Sequence, residues 1–188
     1  MNVDFAYLVG ALGDATLTHR PKKGEYCIEF EQKSEDWLKD SIAPRAQRLF
    51  GKTIPVRKRK SGLYRLRIYS KKAYSELAKA WNDLSIIEES DERAKSNFVR
   101  GFFDAEGSAP RRNAGTCYRI LFYQKDISRL LCISRLLDSL GIKPGRISNS
   151  RDIGLLAVRG KSNVTSFVRI VGSEHPIKRM ALLQLISL

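Results

Sequence analysis

Hydrophobic and polar positions recur along the chain with two different periods. In YCIEFEQ, Tyr26, Ile28 and Phe30 alternate with polar or small residues, and this period of two predicts a β-strand with one buried face. In DISRLLCISRLLDSLG, apolar residues recur at three- and four-residue spacing, which predicts an amphipathic helix ending at Gly141. The same two periods predict strands at 53–60, 64–70, 145–150 and 154–160, and helices at 34–51, 72–84 and 162–172. Pro44 should kink or break the first of these helices.

Two further apolar helices run directly into an acidic residue. One is predicted at 4–13 before Asp14, and the other at about 92–105 before Glu106, with Ser90 or Asp91 as its N-cap and Gly107 as its stop. An anion at the C-terminal end of a helix is disfavoured by the helix dipole. A local rule broken in this way is expected at functional sites more than elsewhere. An exposed last turn, where an acid costs little, is the alternative.

The second half of the chain repeats the first. At an offset of 92 residues, YCIEFEQK falls on YRILFYQK, and Asp14 falls on Glu106. Lys71 and Lys161 match at an offset of 90. Two copies of one unit favour a pseudo-dimer with an internal two-fold axis, since repeat arrays need three or more copies.

Each copy contains the elements of an α+β domain. The residue pattern predicts the order α-β-α-β-β-α in both, with an N-terminal half at 1–85, a linker at 86–96 and a C-terminal half at 97–188. The linker is acidic and polar and has no pattern that faces a core.

The net charge narrows the class of partner. The chain has 34 Lys and Arg against 20 Asp and Glu, a net charge of +14, and residues 55–72 hold eight basic residues and no acid. Such a field favours polyanions, and nucleic acid fits better than a membrane surface because the basic residues follow no amphipathic helix. On strand 64–70, Arg65, Arg67 and Tyr69 share one face, with Lys71 following on the same side, which is typical of a β-ribbon that enters the DNA major groove. A solvated sheet face is the alternative, but such a face usually mixes charges.

The cysteines and the hydropathy bear on the compartment. The three cysteines, Cys27, Cys117 and Cys132, are scattered and odd in number, so we expect reduced thiols rather than a disulfide framework or a zinc site. No apolar run approaches the roughly 20 residues of a membrane span, and the N-terminus has no signal-peptide pattern. We therefore expect an intracellular protein, in the cytoplasm of a prokaryote or in an organelle.

The acid-ended helices, the repeat and the basic strands together resemble the LAGLIDADG homing endonucleases of the single-chain, two-motif type. The resemblance rests on VRGFFDAEG at 99–107 and on AYLVGALGDA in the first half. The first motif departs from the pattern: Gly10 precedes Asp14 by four residues, where Gly101 precedes Glu106 by five, and Ala15 replaces the usual glycine. The family fold has two α-β-β-α-β-β-α halves whose antiparallel sheets form a saddle, with the helices on the outer face.

The resemblance implies a catalytic site between the halves. The motif helices would pack through the small residues Gly10, Ala11, Gly101 and Ala105. Asp14 and Glu106 would then lie side by side and bind divalent metal, with two or three Mg²⁺ ions expected, Mn²⁺ as a substitute and Ca²⁺ non-productive. The family pattern also implies catalytic roles for Gln32, Lys33, Gln124 and Lys125. Lys71 and Lys161 are second candidates for the basic role, and Asp104 is expected near the site without binding metal.

The expected activity is cleavage of both strands of a long, pseudo-palindromic duplex by a monomer, leaving short 3′ overhangs. The residues expected to contact DNA are Arg57, Arg59, Arg65, Arg67, Tyr69, Lys71, Arg119, Arg146 and Lys161. Two alternatives stay open from the sequence: an RNA maturase that binds its intron RNA, and a DNA-binding regulator that has lost nuclease activity.

Overall fold

The computed structural model describes residues 1–51, 53–109, 118–150 and 152–187. Cys117 therefore lies outside the described residues. The first half contains four antiparallel strands and three α-helices. In chain order these are α1 (Val3–Ala11), β1 (Ala15–Arg20), β2 (Glu25–Gln32), α2 (Ala43–Phe50), β3 (Arg57–Lys58), β4 (Tyr64–Tyr69) and α3 (Lys71–Asn82).

The second half has the same order of elements. After the short helix α4 (Ser85–Glu88) come α5 (Glu92–Glu106), β5 (Gly107–Ser108), β6 (Arg119–Gln124), α6 (Ile127–Ser139), β7 (Ser148–Ser150), β8 (Ile153–Arg159) and α7 (Lys161–Ile170), followed by α8 (Pro176–Ile186). Both halves thus have the order α-β-β-α-β-β-α, as the family resemblance implied. The order read from periodicity alone was wrong because it lacked β1 and β5.

Each half forms one four-stranded antiparallel sheet. The strand orders are β1-β2-β4-β3 and β5-β6-β8-β7, so the same topology occurs twice. In the first sheet Ile28 lies opposite Ile68 and Phe30 opposite Leu66, and all four side chains are fully buried. These residues form the face that the helices cover, and the residues between them form an open face. The alternation predicted for β2 and β4 is therefore confirmed.

Pro44 interrupts regular helix geometry as predicted. Residues Trp37–Ile42 form a wider π-helical segment, and α2 begins at Ala43 with Pro44 in its first turn. A proline cannot donate a backbone hydrogen bond, so it is tolerated at a helix start and not in an interior. Gly51 ends α2 with a φ of 67°, in the left-handed region that favours glycine.

The predicted linker is partly helical. Residues 92–96 belong to α5, and Ile87 and Ala94 are fully buried, so this stretch does contribute to the core.

The chain beyond α7 packs against both halves. The segment before α8 reaches back to the first half, where Arg45 donates two hydrogen bonds to Glu174, at 2.7 and 2.6 Å. Among the described residues, every helix is too short or too polar to cross a lipid bilayer.

Candidate active site

The two acid-ended helices, α1 and α5, pack directly against each other through reciprocal glycines. A Cβ atom on Gly10 would collide with the carbonyl oxygen of Phe98 and lie 2.7 Å from the backbone nitrogen of Phe102. A Cβ atom on Gly101 would collide with the carbonyl oxygen of Tyr7 and lie 3.1 Å from the nitrogen of Ala11. Only glycine permits this backbone-to-backbone approach. The shared interface brings the C-terminal ends of both helices to one place.

The first motif has one residue fewer between its glycine and its acid than the second, and a change in helix type compensates for this difference in length. α1 ends at Ala11, and the chain continues as a 3₁₀ turn over Leu12–Asp14, whereas α5 is α-helical to Glu106. Five α-helical steps from Gly101 to Glu106 rise about 7.5 Å. One α-helical and three 3₁₀ steps from Gly10 to Asp14 also rise about 7.5 Å. The two acids therefore end at similar heights above the glycine contact.

Asp14 and Glu106 form a half-buried pair of carboxylates. Gly13 lies against Glu106, since a Cβ atom there would be 2.8 Å from Glu106 Cγ. Burial, and then the charge of Glu106, raise the pKa of Asp14 to about 7. Burial also raises the pKa of Glu106. Each carboxylate is therefore costly in its charged form unless a cation lies nearby.

A partly buried lysine lies beneath this pair. Lys178 Nζ donates to the carbonyl oxygens of Phe103, Asp104 and Ala105, at 2.9, 2.7 and 3.3 Å. These carbonyls belong to the last turn of α5, where a helix leaves its carbonyls short of donors, and that of Phe103 also accepts from the backbone N–H of Gly107. Burial lowers the pKa of Lys178 to about 8, against the opposing charges of Asp104, Asp14 and Glu106. The ammonium group thus offsets the negative end of the helix that carries Glu106.

Asp104 is fully buried, and its carboxylate is occupied by hydrogen-bond donors of the chain. Its carboxylate accepts hydrogen bonds from Tyr7 Oη at 2.6 Å, from the hydroxyl of Ser173, and from the backbone N–H of Glu174 at 3.0 Å. Tyr7 Oη in turn accepts from Trp37 Nε1 at 2.8 Å. Asp104 therefore joins α1, α5 and the segment before α8.

Sequence reasoning missed Lys178 and the buried position of His175. His175, just before α8, is only 7% exposed. Burial and the charge of Lys178 lower its pKa to about 4, so the ring is neutral. The basic residue Lys178, six positions after Gly172, carried no repeat signal that could have identified it.

The predicted glutamine and lysine pairs lie at equivalent ends of β2 and β6. Gln32 donates its side-chain N–H to the carboxylate of Asp14, and its side-chain oxygen accepts from the backbone N–H of Lys33 at 3.3 Å. Gln124 accepts in the same way from Lys125, at 2.8 Å. Lys33 and Lys125 are exposed. The structure thus places Gln32 in contact with Asp14, and Lys33 is the next residue along the chain.

Lys71 and Lys161 lie away from the acids. Lys71 Nζ is 5.8 Å from the ring centre of Tyr26, and Lys161 Nζ is 5.5 Å from that of Tyr118. Tyr26 is six residues from Gln32 along β2, a distance of about 20 Å in a strand. These lysines therefore do not lie where the basic role in catalysis would place them, and their contact with DNA stays a prediction.

The other residues predicted to contact DNA lie on or beside the open faces of the sheets. Arg57 lies opposite Arg65 on neighbouring strands, and Arg119 lies opposite Arg159. Arg59 and Arg146 are exposed in the segments next to β3 and β7, and Tyr69 is 47% exposed. Although residues 55–72 hold no acid, the first face does carry acids, because Glu29 of β2 lies directly opposite Arg67.

Comparison with known proteins identifies the family. A model described as a LAGLIDADG-like domain matches residues 93–172. Homing endonuclease I-ApeI of Aeropyrum pernix is 25% identical over 195 residues, covering 96% of this chain and 86% of that protein. Homing endonuclease I-DmoI of Desulfurococcus mucosus is 32% identical over 146 residues, covering 73% of this chain and 71% of that protein. This chain belongs to the LAGLIDADG homing endonuclease family.

The fold agrees with that of a homing endonuclease bound to DNA. The crystal structure of I-DmoI in complex with DNA and Mn superposes with a TM-score of 0.73 and is 28% identical, covering 93% of this chain and 99% of that chain. The similarity therefore extends over both halves.

The LAGLIDADG carboxylates have the chemistry of a divalent-metal site. Two half-buried carboxylates that repel each other supply hard oxygen ligands and gain from a cation between them. Within the described stretches, no cluster of three or more His, Cys, Asp or Glu side chains could hold a metal. Asp14 and Glu106 fit a metal whose remaining ligands come from water and from a bound phosphodiester.

Proposed function

We propose that this protein is a monomeric, site-specific endonuclease that hydrolyses both strands of duplex DNA with Mg²⁺. The observation that carries the proposal is the pairing of Asp14 and Glu106 at the ends of two helices that pack through Gly10 and Gly101. One pseudo-two-fold site supplies one acid for each DNA strand. Two sheets with basic residues on their open faces flank that site.

Asp14 and Glu106 would hold the metal. A bound divalent ion supplies a nucleophilic water and stabilises charge on the attacking and leaving oxygens. Gln32 fixes the orientation of the Asp14 carboxylate through its side-chain hydrogen bond. Lys33 and Lys125, at equivalent positions beside the two acids, stabilise negative charge on the two scissile phosphates. Lys178 holds the last turn of α5 in place beneath Glu106.

The two sheets would bind the two halves of a long target. Arg57, Arg65 and Arg67 present guanidinium groups on the first open face, and guanidinium groups pair with guanine edges and with phosphates. Arg119 and Arg159 lie on the second face, at the positions that Cys27 and Tyr69 occupy in the first sheet. Because the side chains on the two faces differ, the target is only roughly palindromic. Duplex DNA is the proposed partner, with two or three Mg²⁺ ions, Mn²⁺ as a substitute, and Ca²⁺ supporting binding without turnover.

Selection from random duplex DNA tests this proposal. Bound sequences are enriched in Ca²⁺, and the enriched pool is then exposed to Mg²⁺. We expect one long enriched site that is cut near its centre with short 3′ overhangs. A long enriched site that stays intact in Mg²⁺ would identify a DNA-binding regulator. If no DNA site is enriched and intron RNA is bound tightly instead, the protein is a maturase.

A further inference from the structure

The open face of the first sheet carries acids among its arginines. Glu29 and Glu31 of β2 lie directly opposite Arg67 and Arg65 of β4. Directly opposite residues in an antiparallel pair project from the same face. Ile28 and Phe30, which alternate with the acids along β2, are fully buried on the other face. Both acids therefore lie on the face that the proposed function turns toward DNA.

Both acids form ion pairs with nearby arginines. Glu29 accepts a hydrogen bond from Arg67 Nε, and one of its carboxylate oxygens lies 3.9 Å from Arg65 Nε. Glu31 accepts from Arg59 Nη1. The Glu29 and Glu31 side chains are 20% and 28% exposed, less than those of Arg67 and Arg59, at 38% and 42%. The carboxylates thus lie deeper in the face than the guanidinium groups that they bind.

The second sheet has no equivalent acids at these positions. At the repeat offset of 92, Glu29 corresponds to Leu121 and Glu31 to Tyr123. Leu121 lies opposite Ala157, and Tyr123 lies opposite Leu155, so this part of the second face is apolar and aromatic. The acidic pair is therefore a property of the first half alone and not of the repeated fold.

Carboxylates on a DNA-facing sheet weaken binding to any sequence, because they repel phosphates and occupy guanidinium groups that would otherwise neutralise them. They also hold those guanidinium groups in one geometry. Bidentate pairing of arginine with guanine depends on such geometry, whereas attraction to phosphate does not. A carboxylate can also accept a hydrogen bond from the amino group of cytosine. All three effects favour discrimination between sequences over total affinity.

We propose that Glu29 and Glu31 are specificity-determining residues, which hold Arg67 and Arg59 for reading bases and suppress sequence-independent binding by the first sheet. This inference rests on the proposed function, because it requires that the face binds DNA. It concerns only the half-site read by the N-terminal half of the chain.

Salt-dependent binding of the Glu29→Gln and Glu31→Gln variants tests the inference. Affinity is measured in Ca²⁺ for the selected site, for unrelated duplex DNA, and for selected sites changed in one half only. Glu76→Gln is the matched control: it makes the same change in charge on an exposed residue of α3, which packs on the opposite side of the sheet. Circular dichroism checks that each variant remains folded.

We expect each sheet variant to bind unrelated DNA about fivefold more tightly, with a steeper dependence on salt as an arginine becomes free to pair with phosphate. We expect the ratio of specific to non-specific affinity to fall about tenfold, with the loss confined to base changes in one half-site. Equal changes in Glu76→Gln would show that net charge alone is responsible and would overturn the inference. A variant that keeps the wild-type ratio would do the same. A wild-type protein that selects no DNA site would instead refute the proposed function, and this inference with it.

Discussion

The ammonium nitrogen of Lys178 lies 2.7 Å from the carbonyl oxygen of Asp104, at the C-terminal end of the helix that carries Glu106. The same nitrogen also binds the carbonyls of Phe103 and Ala105. A helix that ends in an acid is disfavoured by its own dipole, and a cation at that end reverses the effect. Lys178 explains how α5 tolerates Glu106 where the proposed chemistry needs it.

Replacing Lys178 with methionine should loosen the end of α5. The carbonyls of Asp104 and Ala105 would lose the donor that Lys178 supplies, and that of Phe103 would keep only the N–H of Gly107, so we expect the free energy of unfolding to fall by about 2–4 kcal/mol. Cleavage should fall at least tenfold, while affinity for the selected DNA in Ca²⁺ changes little. Unfolding in urea, single-turnover cleavage and a binding titration measure the three quantities.

Two further variants separate positioning by Lys178 from a general loss of stability. Lys178→Arg keeps a cation at the helix end and should restore part of the cleavage rate. Lys79→Met removes an exposed lysine of α3 and should change neither the free energy of unfolding nor the cleavage rate. If Lys178→Met cleaved at the wild-type rate below its unfolding temperature, Lys178 would have no role in positioning Glu106.

Alanine at Gly10 or at Gly101 should disrupt the contact between the halves. Each new methyl group would overlap a carbonyl oxygen of the facing helix, and that backbone cannot yield without separating α1 from α5. Overpacking of this kind typically costs about 1–3 kcal/mol or more, so we expect a marked loss of thermal stability in both variants. Differential scanning calorimetry measures it. Wild-type melting behaviour in either variant would show that the helices are farther apart than described.

The pKa of Asp14 predicts how stability depends on pH in the absence of metal. The ordinary value of this carboxyl is 3.8, and burial and Glu106 raise it to about 7 in the folded protein. The folded state then binds the proton more tightly than the unfolded state, so this group makes folding less favourable as pH rises from about 4 to about 7. In EDTA, Asp14→Asn should therefore melt at a higher temperature than wild type at pH 8, and the difference should shrink towards pH 4. A difference that does not vary with pH would contradict the raised pKa.

Sequence patterns predicted most of the helices and strands because their apolar residues have clear periods. The strand β1, ATLTHR, was missed because its alternation is weak: Leu17 is its one large apolar residue, and the strand is defined by pairing with β2. The helix α8 lay beyond the repeated unit and so had no matching copy to indicate it.

The site was predicted where its residues recur in both halves and missed where contacts cross the chain. The repeat identified Asp14, Glu106, Gln32 and Gln124 by their shared offset. Lys178 was missed because its partners are backbone carbonyls more than seventy residues away. The mixed charge of the first sheet was missed because β4 was considered alone, whereas the register places acids of β2 beside its arginines.

Cleavage of the selected duplex by Glu106→Gln, compared with wild type in Mg²⁺, tests the central claim most directly. The substitution preserves the size of the side chain and removes its charge. We expect binding in Ca²⁺ within a few-fold of wild type and no detectable double-strand cleavage. If Glu106→Gln cleaved both strands at the wild-type rate, or if it lost DNA binding altogether, Glu106 would not be the metal-binding catalytic carboxylate proposed here.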